Sequence, residues 1–154
     1  MATDKTAALF TVGYEQTTTG AFQDTLGRAG VDLLVDVRAV AASRRPGFSK
    51  TALAAGIADQ GIAYVHLRAL GTPKEGRLAA RSGDHAALMR IYEAHLDTPP
   101  ARAALEELAD LAKGRRLCLM CYERHVEGCH RLRLAQFLCE RTGLAVDHLV
   151  PDPF

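Results

Sequence analysis

The chain alternates short apolar runs with longer segments in which apolar residues recur every three or four positions. The short runs are rich in β-branched, aromatic and aliphatic residues, which predicts strands. The predicted strands cover residues 9–14, 31–38, 62–67, 116–121 and 144–150. The second run, VDLLVDVR, is almost continuously apolar, which is typical of a strand covered on both faces.

The segments between these runs show helical spacing and typical helix-boundary residues. Phe22, Leu26 and Ala29 share one helical face, and Pro99 stands where a helix would begin. The predicted helices cover residues 20–30, 49–61, 83–96, 99–114 and 130–143. The segment LGTPKEGR, at residues 70–77, lacks the spacing of a phosphate-binding loop and is interpreted as a flexible loop beside a cleft.

Strands that alternate with helices predict an α/β fold. We expect a single-domain, open, mostly parallel sheet of about five strands with helices on both faces. This domain would span residues 9–154 and follow a flexible N-terminal segment at residues 1–8. The sequence does not indicate the oligomeric state.

Composition narrows the class of protein. The chain has 154 residues, 24% of them charged, and a formal net charge of +1. This balance does not favour general nucleic-acid binding, which needs a basic surface. No apolar run approaches the roughly 20 residues of a membrane span, and the N-terminus does not resemble a signal peptide. We therefore expect a cytoplasmic protein with no membrane partner, whose four cysteines stay reduced.

Chemically active side chains cluster after the predicted strands. Tyr14 follows the first strand, Asp36 and Arg38 end the second, His66 ends the third, and Cys121 ends the fourth. Because the carboxyl ends of parallel strands lie at one edge of a sheet, we expect these residues to lie near one another. The opposite ends of the strands carry no comparable chemistry.

The densest cluster is CYERHVEGCHR, at residues 121–131. Cys129 lies near a predicted helix N-terminus, which would favour a reactive thiolate. In this interpretation Cys129, or else Cys121, is the catalytic nucleophile, with Glu123 and His66 as proton-transfer groups. Alternatively, Cys121, Glu123, Cys129 and His130 bind a transition metal ion such as zinc or iron. A packed structural corner is the third interpretation.

Cationic and hydroxyl groups after the second strand suggest an anion site. A guanidinium fork suits phosphate or carboxylate, and Asp36 could orient it. The predicted substrate-binding residues are Arg38, Ser43, Arg44, Arg131 and Tyr14. Alternatively, Asp36 pairs with an arginine and fixes the loop to the sheet.

These features predict a small enzyme that acts on an anionic small molecule through a reactive thiolate or a bound metal ion. The alternative is a non-catalytic accessory protein that binds a nucleotide or nucleic acid through the same arginines. Thiol reactivity and metal content would separate the two classes.

Five segments carry a resemblance to a known family. TVGYE, LLVDVRAVAASRRPGFSK, GIAYVHLRALG, CLMCYERHVEGCHR and VDHL occur in this order between about residues 10 and 150. Together they resemble the domain-of-unknown-function 488 family, in which DVR is followed by S-R and F, and C-x-E by C-H-R. The chain departs from that pattern at Tyr14-Glu15, where His-Ser is common. The resemblance implies an α/β fold and a site at these motifs, but no particular reaction.

Overall fold

The computed structural model describes residues 6–154. Of the predicted flexible segment 1–8, residues 1–5 lie outside this part, and Ala8 is the first residue of a strand. The strands are β1 (Ala8–Gly13), β2 (Leu33–Asp36), β3 (Ala63–His66), β4 (Arg116–Cys121) and β5 (Val146–Leu149). The helices are α1 (Thr19–Ala29), α2 (Lys50–Ala58), α3 (Lys74–Arg81), α4 (His85–Leu96), α5 (Pro99–Ala112) and α6 (Arg131–Thr142).

The five strands of the described residues form one open sheet in the order β3-β2-β4-β1-β5. Every neighbouring pair is parallel, so the predicted α/β fold is confirmed. β4 lies at the centre, between β1 and β2. Its side chains are buried from Leu117 onward, as expected for a strand covered on both faces.

Each face of the sheet has its own apolar core. Phe22 and Leu26 of α1 and Leu53 of α2 pack on one face. Tyr92 of α4 and Leu134 of α6 belong to the core on the other face, which α5 also covers. The helices that follow β1 and β2 thus lie on one side, and those that follow β3 and β4 on the other.

Several helix boundaries follow from local chemistry. The Thr18 hydroxyl accepts a hydrogen bond from the Ala21 amide at the start of α1, and Gly30 ends that helix in the left-handed conformation. Pro99 begins α5, where its missing N–H costs no helical hydrogen bond. Within the described chain, none of the helices is both long enough and apolar enough to cross a membrane.

The prediction of a flexible loop at LGTPKEGR was wrong, because residues from Lys74 onward form α3. The reason is tertiary packing at Gly76, which is buried. A Cβ atom there would lie 2.6 Å from Thr72 Cγ2 and 3.4 Å from side-chain carbons of Leu88 and Ile91. Glycine therefore allows α3 to pack closely on α4, although it weakens an isolated helix.

Candidate functional site

The site lies at the carboxyl edge of the sheet, where the connections diverge. Gly13 at the end of β1 is in register with Cys121 at the end of β4, and Asp36 of β2 is in register with Met120. β1 and β2 send their chains to one face, whereas β4 sends its chain to the other. Such a change of direction opens a crevice beyond the strand ends, where α/β proteins bind ligands.

Cys121 is buried between a cation and a carboxyl group. Its Sγ accepts a hydrogen bond from Arg131 Nη1 at 2.9 Å and lies 3.2 Å from Glu123 Oε2. Burial raises the pKa of the Glu123 carboxyl, and the charge of Arg131 only partly opposes this. The guanidinium stabilises negative charge on the sulfur, whether as a free thiolate or as a metal ligand.

Cys129 and His130 reach the same point from the start of α6. The Cys129 amide donates to the Val126 carbonyl at 3.0 Å, which closes a short 3-10 turn before the helix. The backbone N–H of Arg131 donates to Cys129 Sγ at 3.5 Å. The first turn of α6 thus directs a backbone N–H at the sulfur, as the sequence interpretation expects of a helix N-terminus.

The orientation of His130 is fixed by the backbone of the neighbouring β2 segment. Its Nε2 lies 2.8 Å from the Val37 carbonyl oxygen. Because a carbonyl only accepts hydrogen bonds, Nε2 carries the proton and Nδ1 presents a lone pair. Nδ1 lies 3.7 Å from Cys129 Sγ, and burial lowers the pKa of His130 to about 4. The imidazole is therefore neutral at physiological pH, as a metal ligand must be.

The three side chains bring their donor atoms together. One sulfur each from Cys121 and Cys129 and a ring nitrogen of His130 lie within 4.8 Å of one another. The structure joins the two sulfur atoms as a disulfide, so the expectation that all four cysteines stay reduced is not met at this pair, although the Cα atoms are 7.8 Å apart. Disulfides usually join Cα atoms about 4.4–6.8 Å apart. The backbone spacing thus suits two sulfurs that share a ligand better than it suits a structural disulfide.

Arg131 supports the site from behind. It is 1% exposed, and its Nη2 donates to the Arg124 carbonyl at 3.3 Å. Its Nη1 also donates to the Glu123 carbonyl. Desolvation lowers the pKa of Arg131, and within residues 6–154 its Nε has no hydrogen-bond partner. The structure shows the Arg131 guanidinium bound to protein atoms. Its predicted substrate-binding role stays a prediction.

Gly13 allows the β4–α6 segment to pass over the end of β1. A Cβ atom at this position would lie 1.7 Å from the Glu123 carbonyl oxygen and 3.0 Å from Arg131 Nη1. Real Cβ atoms do not approach backbone so closely, so any side chain at Gly13 would displace the segment that carries the two cysteines.

The end of β2 carries a buried ion pair. Arg38 Nη2 donates to Asp36 Oδ2 at 2.7 Å, and its Nε lies 2.9 Å from Oδ1. Arg38 Nη1 donates to the Phe48 carbonyl at 2.7 Å and to the Tyr14 hydroxyl at 3.2 Å. Burial alone would lower the pKa of Arg38, but the hydrogen bonds and charge of Asp36 raise it. Of its five N–H groups, one lacks a partner among the described residues.

Two predicted anion-binding residues of the following loop lie away from this cluster. Ser43 Oγ accepts a hydrogen bond from the Arg45 amide at 3.1 Å and so shapes the loop. Arg44 is exposed, whereas the neighbouring Arg45 donates to the carbonyls of Tyr14 and Thr17. The sequence did not indicate which of the adjacent arginines points inward, because a loop has no fixed side-chain periodicity.

A cavity of about 380 Å³ opens beside the cluster. It is lined by Cys121, Glu123, His130, Tyr14 and Arg38, which the sequence had singled out. The structure thus brings together residues from the ends of β1, β2 and β4. Arrangements of this kind, with titratable groups around a cleft, are typical of binding and catalytic sites.

His66 lies in a different place from this cavity. Its Nε2 is 2.7 Å from the Arg38 carbonyl oxygen, and it lines a separate depression with Lys50 and Arg68. β3 is an edge strand, and β2 separates it from β4. The structure therefore does not place His66 in the cavity that Cys121 and Glu123 line, and its proton-transfer role stays a prediction.

Sequence reasoning missed three residues of the cleft. Thr72, Arg77 and Arg81 line the 380 Å³ cavity and also a second cavity of about 450 Å³. The signal was present in KEGRLAAR, where the two arginines stand four residues apart and so share a helical face. The interpretation of this segment as a loop hides that signal, because a loop has no helical face.

Fold and site together define an α/β protein with a cysteine–histidine cluster at the carboxyl edge of a parallel sheet. The family model described as "Domain of unknown function DUF488" matches residues 18–138. The chain belongs to this family. Comparisons with curated proteins and with solved structures found no significant match.

Proposed function

We propose that the protein is an enzyme that acts on an anionic small molecule at a transition metal ion held by Cys121, Cys129 and His130. The observation that carries the proposal is the convergence of two sulfurs and a ring nitrogen within 4.8 Å. The hydrogen bond from His130 Nε2 to the Val37 carbonyl adds support, because ligating histidines typically donate their other N–H to such an acceptor.

The donor set suits zinc, and iron is the second choice. Catalytic zinc sites use three protein ligands and keep a fourth position for water or substrate, and a set of two cysteines and one histidine is one known form. Cys121 and His130 line the 380 Å³ cavity, so an open position on the ion would face that cavity. Glu123, which lines it too, is the proposed proton-transfer group.

A metal-free thiolate enzyme is the second candidate, with the same residues. The observation that favours it is the contact of Arg131 with both sulfurs, through Nη1 to Cys121 and through the backbone N–H to Cys129. These donors stabilise a thiolate without any metal. In either form the proposal places the protein in the cytoplasm, where cysteines stay reduced.

The deciding experiment is elemental analysis of untagged protein purified without chelator. We expect about one zinc or iron per chain in the wild type, as for a single-site metalloprotein, and its loss in both Cys129→Ala and His130→Ala. Cys139→Ala is the matched control, because this cysteine of α6 is free and lies outside the cluster.

A metal-free wild type would contradict the metal proposal. Titration of Cys129 with a thiol reagent would then separate the remaining candidates. A depressed thiol pKa would support the free thiolate, and an ordinary pKa of about 8.5 would support the non-catalytic binding protein.

A further inference from the structure

We propose that Arg77 and Arg81 of α3, together with the Thr72 hydroxyl, form a subsite for the phosphate group of a phosphate monoester. This inference rests on the proposed function, since it names the anionic group of that enzyme's substrate. It assigns the anion-binding groups to a different element from the β2 loop, where the sequence predicts them.

The three residues of the subsite lie beside the cysteine–histidine cluster. The 380 Å³ and 450 Å³ cavities are both lined by Thr72, Arg77 and Arg81, and both reach Glu123 and His130. The wall formed by α3 therefore borders the whole cleft. A ligand bound to it would extend directly toward the cysteine–histidine cluster.

The side chains of Arg77 and Arg81 have hydrogen-bonding capacity available for a ligand. Among residues 6–154, neither Arg77 nor Arg81 forms an ion pair or a side-chain hydrogen bond. In contrast, four of the five N–H groups of Arg38 are bound to protein atoms. Arg131 is likewise turned toward protein atoms. Most of the free cationic N–H groups that the described residues offer to the cleft thus lie on α3.

Thr72 supplies a neutral donor at the same wall. It is 7% exposed, and its methyl group faces Gly76. Its hydroxyl has no protein partner within the described chain, although it lines both cavities. Since this oxygen is not among the buried unpaired atoms of the described residues, it is accessible from the cleft and can bond a ligand oxygen there.

The number of donors favours phosphate over carboxylate. Two guanidinium groups and a hydroxyl offer more N–H and O–H groups than the two oxygens of a carboxylate can use, whereas a phosphate monoester presents three terminal oxygens. The rest of the ligand would meet an apolar rim. Val40 and Tyr122 both line the 380 Å³ cavity, and they are 56% and 45% exposed.

The test is titration of ¹⁵N-labelled protein with inorganic phosphate, followed by NMR, with acetate as the planar comparison anion. We expect phosphate to shift the amide resonances of residues 72–81 and to bind more tightly than acetate. Arg77→Ala and Arg81→Ala should each weaken phosphate at least about tenfold, as expected for the loss of one charge-assisted hydrogen bond. Arg90→Ala removes the same charge from an exposed position of α4 and should leave the dissociation constant within about twofold.

Phosphate binding that is unchanged in the Arg77→Ala, Arg81→Ala double variant would overturn the inference, and so would equal affinity for acetate. Metal content, measured on the same samples, keeps the two proposals separate. A metal-free protein that binds phosphate through the two arginines would refute the metal proposal and support the subsite. A metal-loaded protein whose phosphate affinity is unchanged by loss of both arginines would support the metal proposal and refute the subsite.

Discussion

The ends of β2 and β4 both carry buried charged groups, but they differ in whether those groups are satisfied. At the β2 end, Asp36 accepts hydrogen bonds from Arg38 and from the Tyr64 hydroxyl, and the pair is enclosed. At the β4 end, His130 Nδ1 presents a lone pair toward the two sulfurs, and Arg131 Nε has no hydrogen-bond partner among the described residues. Buried polar groups whose hydrogen bonds are all formed stabilise the fold. Buried polar atoms that converge without a partner are typical of a ligand site.

The largest expected effect tests the β2 half of this comparison. Asp36→Ala leaves the buried Arg38 guanidinium without its counter-ion, so we expect the free energy of unfolding to fall by about 3–5 kcal/mol. Urea denaturation measures the change. Asp59→Ala, at an exposed position, should change it by less than about 0.5 kcal/mol. A loss below about 1 kcal/mol for Asp36→Ala would show that the pair is not the structural element described here.

The second prediction tests the β4 half. Removal of metal by a chelator should destabilise the wild type, because an ion that binds only the folded chain stabilises it by about 2.7 kcal/mol at a free concentration 100 times Kd. Thermal unfolding with and without chelator measures the shift. Cys129→Ala, which lacks a ligand, should show none. An identical shift in that variant would mean that the chelator acts elsewhere.

The third prediction concerns the contact that joins the ends of β1 and β4. Gly13→Ala forces a methyl group against the Glu123 carbonyl, so we expect a loss of about 1–3 kcal/mol in unfolding free energy together with reduced metal content. Gly20→Ala is the control, since the nearest atom to a Cβ there is Thr18 Oγ1 at 4.0 Å. Normal stability and metal content in Gly13→Ala would refute the close approach.

The smallest expected effect lies outside both regions, at His148 of β5. Its Nδ1 is 2.7 Å from Thr11 Oγ1. Burial and the charge of Arg131 lower the pKa of His148, while Asp147 and Glu127 partly oppose them. The unfolded chain therefore binds a proton more readily, and stability should fall as the pH drops below about 6.5.

His148→Gln should remove that part of the pH dependence, so its difference from wild type should shrink between about pH 7.5 and pH 5.5. Urea titrations at the two values measure it, with the exposed His85→Gln as control. A difference that grows toward acid pH would reverse the assigned sign.

The sequence predicts the fold well because apolar runs and helical spacing act locally. The run at residues 31–38 is almost continuously apolar, and its centre forms β2, which is buried on both faces. The meeting of Gly13, Asp36 and Cys121 at one edge also follows from sequence, since parallel strands place their carboxyl ends together.

The sequence does not indicate which arginines bind protein atoms and which stay free to bind a ligand. The DVR motif suggested an anion-binding Arg38, but its backbone geometry folds the guanidinium back onto Asp36. Which of Arg44 and Arg45 turns inward depends on contacts with the distant segment 14–17. The helix carrying Arg77 and Arg81 is stabilised by packing at Gly76, a residue that locally indicates a turn.

The central position of β4 determines the order in which the molecule can be completed during synthesis. The ribosome releases β1, β2 and β3 first, and they leave a gap that only residues 116–121 fill. Cys121 ends that strand, and Cys129 and His130 follow within ten residues, yet His130 takes its orientation from Val37, some ninety residues earlier. Long-range parallel pairing is slow to form. We therefore expect the cluster to mature only after residue 130 has been translated, so that a nascent fragment ending before residue 116 is a sheet with an unfilled centre.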